Sequence, residues 1–77
     1  MSFEYSKLLG KIVSVYGTQY NFARALNLSE RSVSLKLNNH IPWTQPEISK
    51  AASLLSIDQK DIPEYFFDQK VQKSWTI

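Results

Sequence analysis

The chain has 77 residues, no cysteine and a formal net charge of +2, with 43% hydrophobic and 21% charged residues. This is the size and composition of one small globular domain, and it excludes disulfides and thiolate metal sites. No apolar run approaches the roughly 20 residues of a membrane-spanning helix, and residues 1–15 lack the apolar core of a signal peptide, so a cytoplasmic protein is expected.

Tyr5, Leu8, Leu9, Ile12, Val13 and Tyr16 recur at helical spacing, which predicts an amphipathic helix over residues 5–16 with this stripe against the core. Ser2 is a candidate cap, and Gly17 ends the helix. Gly10 falls on the far side, with no functional reason for it. Thr18 caps a second helix over 19–26, where Phe22, Ala23 and Leu26 share a face. Asn27 stands at its end, one of the few non-glycine residues that tolerates a left-handed turn. Ser29 then caps a third helix over 30–38, held down by Val33 and Leu37. Two short helices around a three-residue break, with small Ala23 at their crossing, describe a helix-turn-helix.

Paired Asn38-Asn39 and Pro42 mark a loop. Thr44 with Glu47 forms a capping box, Pro46 fits the first turn, and Trp43 with Ile48 has the spacing of a hydrophobic staple. Ile48, Ala51, Ala52 and Leu55 are the buried stripe of this fourth helix, closed off by Leu54 and Ile57. Asp61 and Pro63 start a last short helix over 62–67, with Tyr65, Phe66 and Phe67 as bulk. The aromatic residues Tyr5, Tyr16, Phe22, Tyr65 and Phe66 sit at core spacings, whereas Tyr20 is placed outward. Residues 68–77 form a tail with two readings: Phe67, Val71 and Trp75 are four apart, as in a continuing helix, or Val71, Trp75 and Ile77 form an arm that packs on a second subunit, the reading preferred here.

Gln19, Phe22-Ala23, Leu26, Leu28, Val33 and Leu37-Asn38 together resemble the pattern of the lambda-repressor and Cro family (XRE-type), small phage and bacterial regulators. The resemblance implies an all-α, five-helix domain over residues 1–67 whose third helix lies in the DNA major groove. The sequence departs from the family at Asn27, where glycine is commoner, and at Lys36, where the residue is usually apolar. The Lys36 stem must therefore pack, or the helix must rotate slightly.

Within that frame Ser29, Glu30, Arg31, Ser34 and Leu35 lie along the entering turns of the reading helix. Arg31 suits guanine O6 and N7, Glu30 suits cytosine N4, and Leu35 suits a thymine methyl. Gln19, Lys36, Asn38 and Asn39 are the candidate phosphate contacts, Gln19 helped by its helix N-terminus. Residues 1–40 carry five Lys and Arg against two acidic residues, while residues 41–77 carry four against five. The positive half therefore holds the candidate reading helix, as a polyanion partner requires.

One histidine, scattered acids and no glycine-rich phosphate loop give no catalytic constellation, so no enzyme and no cofactor are expected. The leading expectation is a Cro-like repressor occupying an operator on double-stranded DNA. A homodimer would place two reading helices about 34 Å apart. The alternative is a small phage antirepressor, a modulator that binds a larger repressor protein. Modest positive charge, Glu30 in the reading helix and apolar Leu35 leave room for that alternative. An antitoxin is a third reading.

Overall fold

The structure, a computed structural model, describes residues 3–69. Five α-helices follow in order: α1 (Ser6–Tyr16), α2 (Gln19–Leu26), α3 (Glu30–Leu37), α4 (Gln45–Leu54) and α5 (Ile62–Phe66). A single 3-10 turn, Gln59–Asp61, leads into α5. The described residues are thus all-helical apart from one isolated antiparallel bridge between Phe3 and Gln69. No helix among them is long and apolar enough to cross a membrane.

The helix boundaries follow local chemistry. Gly17 takes φ +82°, a conformation that costs glycine little, and its N–H closes α1 on the Val13 carbonyl. Thr18 Oγ1 accepts the Asn21 N–H at 3.1 Å and starts α2. Asn27 ends α2 in the left-handed region at φ +65°. Ser29 Oγ accepts the Ser32 N–H at 3.0 Å and starts α3. At α4 the capping box is complete: Glu47 Oε1 accepts the Thr44 N–H at 3.0 Å, and Thr44 Oγ1 accepts the Glu47 N–H at 3.4 Å.

Two expected caps differ. Ser2 lies outside the described residues, and α1 starts at Tyr5 with no side-chain cap. The preceding Glu4 carboxylate instead accepts the Ser6 N–H at 2.9 Å. Asp61 makes no capping hydrogen bond either, because the 3-10 turn already supplies the entry into α5.

α2 packs against α1, α3 and α4, so the core gathers around Phe22, Leu8, Ile12, Val33, Leu55 and Phe66, all fully buried. Ala23 is buried as well, its small side chain permitting close approach of the neighbouring helices. Each large side chain in this group contributes about 1.5–3 kcal/mol through removal from water. α5 closes the bottom of α1 through the Lys7–Glu64 ion pair and through Lys7 Nζ 5.1 Å above the Tyr65 ring. Trp43 meets Phe66 edge-on with ring centroids 5.5 Å apart, so the staple residue is anchored on α5 as well as on α4.

One face of α1 departs from expectation. Tyr5, Leu8 and Ile12 are buried, and Tyr16 is half-buried. Leu9 and Val13, assigned to the same stripe, are 40% and 50% exposed. They sit about 100° around the helix from Leu8 and Ile12, off the buried line of α1.

Candidate functional site

The exposed face of α3 is short and nearly neutral. Glu30 and Arg31 are exposed in its first turn, while Ser32, Ser34 and Leu35 are half-buried. One cation and one anion therefore share the face, and Leu35 adds apolar surface between them. Behind it, Val33 is fully buried and Leu37 half-buried, as their spacing requires.

Lys36 does not join this face, which corrects its assignment as a phosphate contact. The residue is 6% exposed. Its ammonium lies over the Trp43 ring, with Nζ 5.8 Å from the centroid. The ammonium donates to Glu47 Oε1 at 2.8 Å and to the Pro42 carbonyl at 3.0 Å. Here the position keeps its apolar burial through the stem, and the charge is spent on tying the end of α3 to the start of α4. Burial pushes the Glu47 carboxyl up, but hydrogen bonds from Lys36 and from Thr44 outweigh it and hold the group below its ordinary value.

Both asparagines that follow α3 are also engaged internally. Asn38 Nδ2 donates to the Ser34 carbonyl at 2.8 Å, a helix-terminating contact. Asn39 takes φ +64° and turns its amide onto Phe3. Its Oδ1 accepts the Phe3 N–H at 2.9 Å, and its Nδ2 donates to the Phe3 carbonyl at 2.9 Å. The amide thus occupies one backbone edge at Phe3 as a neighbouring strand would, while the Glu4 N–H donates to the Asp68 carbonyl on the other side. Ser29 is likewise committed, since its hydroxyl both caps α3 and donates to Ser32 Oγ at 3.0 Å. The paired Asn spacing signals a turn, but nothing in it signals the 36-residue reach of Asn39 back to Phe3.

Two of the other cations of residues 1–40, Lys7 and Arg24, are also partly occupied. Lys7 is held by Glu64, and that hydrogen bond raises its pKa. Arg24 Nη1 lies 3.3 Å from Tyr20 Oη, with the guanidinium 5.8 Å above the Tyr20 ring. That leaves Arg31 as the one cation exposed on α3 itself. A duplex contact would require several phosphate neutralisations, and this face is poorly built for them.

Sequence reasoning missed the largely polar cleft at the end of α3, with Leu9 in its wall. Leu9 lines a cleft of about 280 Å³ together with Gln19, Leu37 and Asn38, so α1 reaches the ends of both α2 and α3. Gln19, the expected phosphate contact, is half-buried in that cleft wall. Exposed Val13 extends the ridge along α1, and Tyr20 is 49% exposed on α2. The signal was present in the apolar content of α1, seven apolar residues in the twelve positions 5–16, with Val15 outside the stripe.

Comparison with known proteins then sets the family. A family described as "Protein of unknown function (DUF739)" matches residues 1–69. The solution structure of the modulator of repression (MOR) of the temperate bacteriophage TP901-1 from Lactococcus lactis is 57% identical. That match covers 94% of this chain and 97% of the other, with a TM-score of 0.78. No curated protein sequence matches the chain. These findings correct the lambda-repressor and Cro resemblance: the family is DUF739, and the similar structure described above is a modulator of repression, not a Cro-like repressor. The resemblance rested on positions that pack two short helices across a turn, and such positions do not determine what the outer face binds. By a match that spans all of the described residues, the chain belongs to the DUF739 family.

Proposed function

We propose that this chain is a phage modulator of repression that acts by binding a repressor protein. The observation that carries the reading is the α3 face, where Arg31 is offset by Glu30, Leu35 is part of the surface and Lys36 is turned inside. The similarity to a structure described as a phage modulator of repression supports the same choice. The contact surface we assign comprises Glu30, Arg31, Ser34 and Leu35 of α3, together with the cleft at the end of α3 that Leu37, Gln19 and Leu9 line. Apolar side chains rimmed by a few charges suit a protein partner, in which the apolar centre carries affinity and the rim sets orientation. No catalytic step is assigned to the chain.

Salt dependence separates this reading from operator binding. Contact through several phosphates weakens by orders of magnitude between low and moderate salt, whereas a mainly apolar protein contact does not. Binding of the purified chain to a phage repressor and to operator duplex should therefore be measured across a salt series. Tight, salt-tolerant binding to the repressor is the expected result. Steeply salt-dependent binding to duplex alone would overturn it.

A further inference from the structure

We propose that Asn39 is a positioning residue for the repressor contact. Its side-chain amide holds residues 3–5 in place as a wall of the cleft at the end of α3, and affinity for the repressor depends on that hold. This inference rests on the repressor reading and assigns one residue's role within it. The cleft is lined by residues 3–6, by Leu9 and Gln19, and by residues 37–39. Most of these belong to α1, α2 and the end of α3, helices packed on the core. Residues 3–5 precede α1 and have no helix of their own to fix them.

The placement of that segment comes from contacts on its two edges. Asn39 Oδ1 accepts the Phe3 N–H, and Asn39 Nδ2 donates to the Phe3 carbonyl, both at 2.9 Å. On the other edge the Glu4 N–H donates to the Asp68 carbonyl at 2.6 Å. The Phe3 ring adds contacts with Tyr5 and Phe67, at centroid distances of 6.2 Å and 6.0 Å. Among these contacts, only the Asn39 pair ties the segment to the end of α3.

The backbone at Asn39 shows that its side chain does more than end a helix. Asn39 takes φ +64°, its N–H donates to the Lys36 carbonyl at 3.3 Å, and the His40 N–H donates to the Leu35 carbonyl at 2.8 Å. This is the Schellman pattern of helix ends, where glycine is the usual left-handed residue because it carries no Cβ. Glycine would end α3 with less backbone strain, but it has no amide to reach Phe3. Leu35, whose carbonyl closes the turn, belongs to the assigned contact surface. One turn therefore sets the end of α3 and, through the amide, the segment beside it. Without the clamp that segment must be ordered when the repressor binds, and ordering lowers affinity.

The test uses the full chain and a phage repressor, with Asn39→Gly as the main variant. Glycine keeps the left-handed turn, so the urea midpoint should change little. Hydrogen exchange at the Phe3 amide, followed by nuclear magnetic resonance, should quicken about ten-fold. The dissociation constant for the repressor should rise about ten-fold, as the segment is ordered only on binding. Asn39→Asp tolerates the same turn and keeps an acceptor for the Phe3 N–H, but its ionised side chain has no donor, and it should shift both quantities in the same direction. Thr44→Ala lowers stability at α4, outside the cleft, and should leave repressor affinity unchanged. An equal loss of affinity in Thr44→Ala overturns the proposal, since general stability would then explain the effect. Equal repressor affinity in the unaltered chain and Asn39→Gly, with Phe3 exchange quickened, overturns it and leaves the repressor reading standing. Unchanged Phe3 exchange in both Asn39 variants overturns it too, because the amide would then not be the hold. No repressor binding by the unaltered chain removes the repressor reading, and this proposal with it.

Discussion

Lys36 is the residue whose role changes most between surface pattern and structure, and its removal can be worked through. Its side chain is 8% exposed, and its ammonium bridges Glu47 and the Pro42 carbonyl. Lys36→Met keeps most of the stem and deletes the ammonium, stranding a carboxylate whose side chain is 22% exposed. Removing one partner from a fully buried pair costs about 3–5 kcal/mol, and partial hydration of Glu47 brings the expected loss to about 2 kcal/mol. Lys36→Ala also loses the packed methylenes, at about 0.8 kcal/mol each, for a total of about 4 kcal/mol. In Lys36→Met with Glu47→Gln no charge is stranded, and the loss should return to about 1 kcal/mol. Urea unfolding of the unaltered chain, Lys36→Met, Glu47→Gln and the double variant gives the cycle directly, and thermal unfolding should move by about 4–8 °C per kcal/mol. A loss below about 0.5 kcal/mol for Lys36→Met would place the ammonium in solvent and refute the internal strut.

Other expected outcomes follow from single features. Glu47 has a lowered pKa in the folded chain, so its contribution is present above its ordinary value of 4.5 and is lost as pH falls through the folded value. Acid titration of stability should show that loss in the native chain and a smaller one in Glu47→Gln. Asn27→Gly relieves a left-handed residue at φ +65° and should stabilise by about 0.5–1 kcal/mol, offset in part by unfolded-chain entropy. Thr44→Ala breaks the capping box and should cost about 1 kcal/mol in the same unfolding assay. Leu9→Ser, at a side chain already 40% exposed, should change stability by less than about 1 kcal/mol yet weaken repressor binding.

Helix order and caps were legible because they depend on neighbours in sequence. Thr18, Ser29 and the Thr44–Glu47 pair cap within three residues of themselves, and Gly17 and Asn27 stop helices through their own backbone preference. The outer face was less legible because it depends on distant partners. Lys36 reads as a surface cation until Glu47 and Trp43 are brought to it, and Asn39 reads as a free amide until Phe3 arrives. Leu9 and Val13 read as core because periodicity reports apolar width, not how far the neighbouring helix extends. The expected tail from 68–77 lies outside the described residues beyond Gln69. The Cro-like resemblance shared this limit, since packing positions recur whatever the exposed helix contacts.

The most direct test of the proposed function is competition at an operator. A phage repressor is bound to its labelled operator duplex, and this chain is added at constant salt while fluorescence anisotropy follows the DNA. The account predicts that the repressor–operator signal changes in a saturable way, that the chain alone leaves the duplex signal unchanged, and that Leu35→Glu abolishes the effect. Saturable binding of the chain to duplex without repressor, weakened by Arg31→Ala, would contradict it.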